Sequence, residues 1–229
     1  MNSSKQKSHD DKKTCRVVVL ISGGGTNLQA IIDEQKNGNL PIEITAVISN
    51  RPNVKGLERA TLAGIKAETI DHKNFSDRKT FDEALINIID KHSPDLIVLA
   101  GFMRILTPEF VTHYLGKLIN IHPSLLPKYP GLHTHQRAID AGDKEHGVTV
   151  HFVTEELDGG PPILQAKVPI LDSDTPDTLA QRLLIQEHVI YPLAVKWFAQ
   201  EKLLLKNGKA YLKNELLPPS GHLIDSTAH

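Results

Sequence analysis

Arg16-Val17-Val18-Val19-Leu20-Ile21-Ser22-Gly23-Gly24-Gly25-Thr26-Asn27-Leu28 is the stretch on which the fold turns. Its first half, Val17–Ile21, is apolar without alternation, the pattern of a strand buried on both faces. A glycine run follows. Leu28, Ile31 and Ile32 then recur at helical spacing to about Lys36. Strand, glycine turn and helix make the opening of a βα unit. The alternation repeats outward from it. Ile42–Ile48 and Asp95–Ala100 read as further buried strands, Ala67–Ile70 and Leu118–Ile121 as shorter ones. Between them, Leu57–Ala63 reads as a short helix. Asp77–His92 is a helix with Phe81, Leu85, Ile88 and Ile89 on one face. Thr107-Pro108 opens another, with Thr as cap and Pro in the first turn. Such alternation predicts an α/β fold: a doubly wound, mostly parallel sheet with a Rossmann-like N-terminal half.

The second half has a different rhythm. Val148–Val153 alternates like a strand, Ile163–Ile170 is another, and Asp158-Gly159-Gly160-Pro161-Pro162 is the turn between them. Thr175–Phe198 reads as a long helix with a capping signal at Thr175-Pro176-Asp177. Leu203–Leu212 reads as a C-terminal hairpin around Asn207-Gly208. The expectation is a single domain over residues 15–213 with a mixed sheet. A disordered polar leader, 1–14, precedes it and a tail, 214–229, follows.

Composition removes several function classes. Of 229 residues, 26 are Lys or Arg and 27 are Asp or Glu, a net charge of −1. That lacks the basic excess of a nucleic-acid or anionic-membrane binder. No run approaches the ~18 apolar residues of a membrane span. The one cysteine, Cys15, makes neither an internal disulfide nor a Cys-based zinc finger, and fits a reducing cytoplasm. The 12 histidines are the oddity, because His122, His133, His135, His146 and His151 all fall within 30 residues. His133-x-His135 has chelating spacing. No His-Glu-x-x-His and no nearby Cys accompany it, so no metal is expected.

Ligands of doubly wound sheets bind beyond the carboxyl ends of the strands. Ser22–Asn27, Gly101–Leu106 and Asn120–Pro130 should therefore line one crevice. The glycine loop lacks the Lys of a P-loop, and Leu28 stands where a dinucleotide fingerprint has its third glycine. It suits a phosphomonoester held by backbone N–H groups at a helix start, or is simply a tight turn. Asn120 and His122, two apart on a strand, point the same way. Both can donate to an oxyanion, and His can move a proton. Asp158, on its turn, can reach in and favour the charged imidazole. The bland alternatives are a hydrogen-bonding strand-end histidine and a turn cap; spacing does not choose between them. The Pro- and Gly-rich loop Ser124–Gly131 reads as rigid, with an X-Pro bond open to the cis form.

Asn120-Ile121-His122-Pro123-Ser124-Leu125-Leu126-Pro127, His146-Gly147 and Asp158-Gly159-Gly160 together resemble the folate-dependent formyltransferase family. Ser22–Leu28 and Lys128-Tyr129-Pro130-Gly131-Leu132-His133-Thr134-His135 narrow the resemblance to the branch acting on N1-(5-phospho-D-ribosyl)glycinamide (GAR) in purine biosynthesis. It spans about Arg16 to Leu212. It implies the formyltransferase fold and formyl transfer from 10-formyltetrahydrofolate, without a metal, to the GAR amine. By the same resemblance Asn120 and His122 hold and polarise the formyl oxygen, with Asp158 supporting His122. Gly25, Thr26 and Asn27 would take the GAR phosphate. Leu184, Ile185, Gln186 and Glu187 would form a second GAR contact, with Glu187 the polar hold. Folate would lie against Met103, Arg104, Ile105 and Leu106, with Arg78 on its glutamate tail. Thr154, Glu155, Glu156, Leu157 and Asp158 would close on the pterin. The implied enzyme is cytoplasmic, a monomer or weak homodimer, with small-molecule partners and neither nucleic acid nor membrane. The sister branch acting on initiator methionyl-tRNA implies more positive charge and an extra C-terminal domain. The 10-formyltetrahydrofolate hydrolase implies a preceding regulatory domain. A non-enzymatic phosphate-ligand-binding module would tolerate loss of His122.

Overall fold

The computed structural model describes residues 14–224. Of the expected leader and tail, residues 1–13 and 225–229 lie outside the described residues. The elements in chain order are β1 (Cys15–Ile21), α1 (Thr26–Lys36), β2 (Ile42–Ser49), α2 (Lys55–Leu62), β3 (Ala67–Thr69) and α3 (Arg78–Asp90). Then come β4 (Leu96–Leu99), α4 (Pro108–His113), β5 (Leu118–His122), α5 (Thr134–Asp140), β6 (Glu145–Phe152), β7 (Pro162–Pro169) and α6 (Pro176–Ala199). The chain closes with β8 (Leu203–Lys206), β9 (Lys209–Leu212), β10 (Glu215–Leu216) and β11 (His222–Ile224).

The main sheet has the order β11-β7-β6-β5-β4-β1-β2-β3. β3, β2, β1, β4 and β5 run parallel, as the βα alternation predicts. β6 is antiparallel to β5 and to β7, which makes the sheet mixed. β1 explains why its sequence does not alternate. Val17, Val19 and Ile21 pack into one cluster with residues of α1 and α6, while Val18 and Leu20 pack into a second with residues of α3 and α4. Full burial of each such side chain stabilises by roughly 1.5–3 kcal/mol, so a polar residue on either face would be costly. Strand order reverses between β1 and β4, and a crevice opens beyond the carboxyl ends there. α6 lines it with Glu187. Tyr191, fully buried, donates its hydroxyl to the Leu99 carbonyl at 2.8 Å and so ties α6 to β4. Thr175 caps α6 in a capping box with Thr178.

Three features depart from the sequence expectation. α5 is a helix to which no sequence pattern points. It is seven residues long and buries only Thr134 and Ala138, too little for an apolar repeat. The alternation at Val148–Val153 predicts one buried face, yet His146–Phe152 is buried throughout. α6 packs against β6, and the 123–127 loop covers it too, with Leu125 against Gly147. The tail contributes structure: β10 extends the β8–β9 hairpin into a small antiparallel sheet, and β11 pairs in parallel with β7.

Candidate active site

The glycine loop turns from β1 into α1 with Gly25 in the left-handed region, φ 69°. A Cβ at Gly25 would stand 2.8 Å from the Gly56 Cα, so the loop presses backbone to backbone on the start of α2. Gly56 N–H donates to the Gly23 carbonyl at 3.0 Å, and Arg59 Nε donates to the Gly24 carbonyl at 2.9 Å. No side chain caps α1. Its first N–H groups are left for solvent or an anion. Asn27 is buried and donates its Nδ2 to Glu187 of α6 at 2.7 Å. Burial raises the Glu187 carboxyl above its ordinary value, against the lowering effect of that hydrogen bond.

Asn120 and His122 lie on β5, opposite His151 and Thr149 of β6. His151 Nδ1 lies 2.9 Å from the Phe152 carbonyl and must donate to it. Its Nε2 is then an acceptor, 3.3 Å from Asn120 Nδ2. Burial pushes the His151 imidazole below its usual range, which keeps it in this neutral role. One Asn120 N–H is thereby fixed and the other is left for the crevice. His122 is pinned the same way. Its Nε2 donates to the Tyr129 carbonyl at 2.9 Å, leaving Nδ1 as the working nitrogen. Asp158 Oδ2 lies 3.5 Å from that Nδ1 and accepts from Gly131 N–H at 2.8 Å. Asp158 itself has φ 52°, a conformation Asp tolerates better than most residues. A Cβ at Gly160 would run into the Phe152 carbonyl oxygen, so only glycine lets the turn return to β7.

The loop that carries the Tyr129 carbonyl is itself anchored. The buried Thr149 hydroxyl donates to the Ser124 carbonyl at 2.7 Å. It accepts from Leu126 N–H at 3.1 Å and from Gln165 Nε2 at 3.0 Å. Gln165 also donates to the Leu126 carbonyl, and the Leu126-Pro127 bond is cis. His135 and His146 hydrogen-bond each other at 3.2 Å. Burial holds both below the usual imidazole range, His146 at about 4, so these histidines add no positive charge near neutrality. Among the described residues no three His, Cys, Asp or Glu side chains converge as a metal-binding group.

A cleft of about 770 Å³ joins these parts. Asn120, His122, Asp158, Asn27 and Glu187 line it, as do Met103–Leu106 and Thr154–Leu157. Met103, Ile105 and Leu157 are each at least half exposed to it, an apolar surface ready to be covered. The remaining expected residues lie outside its lining. Gly25 and Thr26 sit at its edge, at the α1 start; Leu184, Ile185 and Gln186 lie on α6 with Ile185 pointing to solvent; Arg78 is exposed at the start of α3. Sequence reasoning missed His151, Thr149, Gln165 and Arg59. The first two act through the β5–β6 register, which a single sequence does not reveal.

Residues 15–195 match the formyl transferase family. The phosphoribosylglycinamide formyltransferase of Escherichia coli K12 is 54% identical over 209 residues, covering 91% of this chain and 99% of that one. The human trifunctional purine biosynthetic protein adenosine-3 is 45% identical over 207 residues, 90% of this chain and 20% of that protein. The structure of the Coxiella burnetii phosphoribosylglycinamide formyltransferase superposes with a TM-score of 0.89 at 52% identity, covering 93% of this chain and all of that one. The fold, the crevice and these likenesses agree: this chain belongs to the formyl transferase family, in its phosphoribosylglycinamide formyltransferase branch.

Proposed function

We propose that this chain is the cytoplasmic enzyme that moves a formyl group from 10-formyltetrahydrofolate to the amine of GAR. The observation that carries the reading is the convergence of one free Asn120 N–H, His122 Nδ1 and Asp158 on one end of an apolar-walled cleft, with the glycine loop at its edge. Bound 10-formyltetrahydrofolate supplies the formyl carbon, and a cleft of this size and lining fits its flat aromatic body. When the amine nitrogen bonds that carbon, negative charge gathers on the formyl oxygen. Asn120 Nδ2 and protonated His122 Nδ1 donate to it, and such preorganised donors supply ~2.7–4 kcal/mol each in comparable sites. Collapse breaks the carbon–nitrogen bond to the folate, whose nitrogen gains a proton as the amine loses one. Asp158, beside Nδ1, holds the imidazole orientation and accepts or returns a proton through water.

At the other end, the uncapped α1 start and the Gly25–Asn27 N–H groups receive the GAR phosphate. Arg59 adds a cation beside the loop. Glu187 accepts from substrate hydroxyl groups. Met103–Leu106 and Thr154–Asp158 face each other across the folate, and exposed Arg78 meets its acidic tail. Incubation of the protein with 10-formyltetrahydrofolate and, separately, GAR, initiator methionyl-tRNA or water tests the assignment. Formylated GAR and tetrahydrofolate in equal amounts are expected. Turnover with tRNA or water but not GAR would overturn it.

A further inference from the structure

The segment Met103–Leu106 forms the apolar wall of the cleft, yet it belongs to no helix or strand. Its shape depends on what grips its two ends. At the first, Met103 N–H donates to the Ser22 hydroxyl at 2.7 Å, and Ser22 in turn donates to Asn50 Oδ1. At the second, Thr107 N–H donates to Asp82 Oδ2 at 2.6 Å. Asp82 is on α3, is 1% exposed, and does not line the cleft. Its second oxygen, Oδ1, is buried with no hydrogen-bond partner among the described residues. So is Nε of Arg104 in the wall itself. The Arg104 guanidinium lies 4.4 Å over the ring of Phe81, the residue preceding Asp82. α3 thus touches the wall twice, once through a ring and once through a carboxylate.

A carboxylate is an expensive way to hold one backbone N–H in a core. Burial raises the Asp82 carboxyl above its ordinary value; hydrogen bonding from the Thr107 backbone and side chain, then the charges of Arg104 and Arg78, pull against that rise. A simple structural need would be met more cheaply by a hydroxyl, as Ser22 does at the other end. What Asp82 supplies to the wall is an acceptor oxygen, reaching from α3 to Thr107 N–H.

We infer that Asp82 is a positioning residue for the one-carbon donor: by accepting from Thr107 N–H it sets the Met103–Leu106 wall, and with it Arg104, in the conformation that binds the folate. The inference rests on the proposed function, since it assigns that wall to the folate. Asp82 touches neither substrate nor the reacting atoms.

Three proteins separate the possibilities: wild type, Asp82→Ala and Asp82→Asn, each assayed with both substrates varied and each melted thermally. Turnover of the wild type with GAR and 10-formyltetrahydrofolate tests the function itself; its absence sinks that reading before the variants are compared. Asp82→Ala loses the acceptor, so its KM for 10-formyltetrahydrofolate should rise by about tenfold or more, the size of one lost charge-assisted hydrogen bond. Its KM for GAR should stay within about twofold, because the glycine loop is gripped by α2 instead. Asp82→Asn keeps an acceptor for Thr107 N–H and should restore most of the donor KM. An Asp82→Ala protein whose two KM values rise together, or neither of whose KM values moves, would overturn the inference. So would an Asp82→Asn protein as impaired toward the donor as Asp82→Ala. Should Asp82→Ala fail to melt cooperatively, Asp82→Asn decides alone, measured with 10-formyltetrahydropteroate, which lacks the acidic tail, beside the full donor. Near-native KM values for both are then expected, and a tenfold or greater loss shared by both would refute it.

Discussion

Thr149→Val replaces a buried hydroxyl by a methyl of nearly the same shape, and the structure fixes what is lost. The Ser124 carbonyl loses its donor at 2.7 Å and Leu126 N–H its acceptor at 3.1 Å. Gln165 keeps its bond to the Leu126 carbonyl but loses the one to Thr149. Two backbone groups are thus left buried and unpaired, at ~1–3 kcal/mol each, while burying one hydroxyl fewer gives some of this back. The net loss should be roughly 2–4 kcal/mol. At ~2–4 °C per kcal/mol for a domain of this size, the melting temperature falls by about 4–16 °C. The loop released is the one whose Tyr129 carbonyl orients His122, so kcat should fall with it. Thr149→Ser keeps the hydroxyl and loses one methyl, about 1 kcal/mol. Urea denaturation with constant m-value, run beside steady-state kinetics, measures both effects. Thr149→Val within 1 kcal/mol of wild type, a margin set by the same hydrogen-bond magnitudes, or Thr149→Ser as damaging as Thr149→Val, would refute the account of this loop.

Other perturbations probe other parts. Asp158→Asn retains an oxygen for Gly131 N–H but removes the charge beside His122, so kcat should drop about 100-fold with GAR affinity unchanged; a kcat near wild type would reduce Asp158 to a turn former. Gly160→Ala drives a Cβ into the Phe152 carbonyl and should displace the Asp158 turn, read as loss of both activity and several degrees of melting temperature; a silent substitution would mean the turn relaxes freely. Glu187→Gln has a definite sign with pH. The folded carboxyl is raised, so its contribution is full below the unfolded value of ~4.3 and is lost as pH rises through the folded value. Gln still accepts from Asn27 and carries no such loss. The variant should therefore gain stability relative to wild type between pH 4 and pH 8 in thermal melts, and a difference flat with pH would contradict it.

Much of the fold was legible because it is local. Val17–Ile21 of β1 and all of β4 are unbroken apolar runs, and the caps of α4 and α6 are Thr-Pro pairs whose chemistry is short-range. α5 was illegible for the opposite reason: seven residues with two buried side chains carry no period. β11 was missed because a three-residue strand is specified by the β7 edge it meets rather than by its own sequence. The site divides in the same way. Asn120 and His122 show their common direction from i, i+2 spacing alone. Their partners, His151 across the strand pair and the Tyr129 carbonyl seven residues on, arise from register and a left-handed turn. The clustered histidines invited a metal. In the structure four of the five have other hydrogen-bond partners, His122 at the Tyr129 carbonyl, His151 behind Asn120, and His135 and His146 with each other; His133 starts α5 with φ 58° and lines the cleft.

The most direct test of the central claim is the turnover of His122→Ala with 10-formyltetrahydrofolate and GAR, measured together with GAR binding by calorimetry. On the proposed reading His122 Nδ1 donates to the forming oxyanion beside Asn120 Nδ2, while the glycine loop proposed for the phosphate lies between β1 and α1. The account predicts turnover reduced by about 100-fold or more, with GAR affinity within a few-fold of wild type. A His122→Ala protein that transfers formyl at the wild-type rate would contradict it.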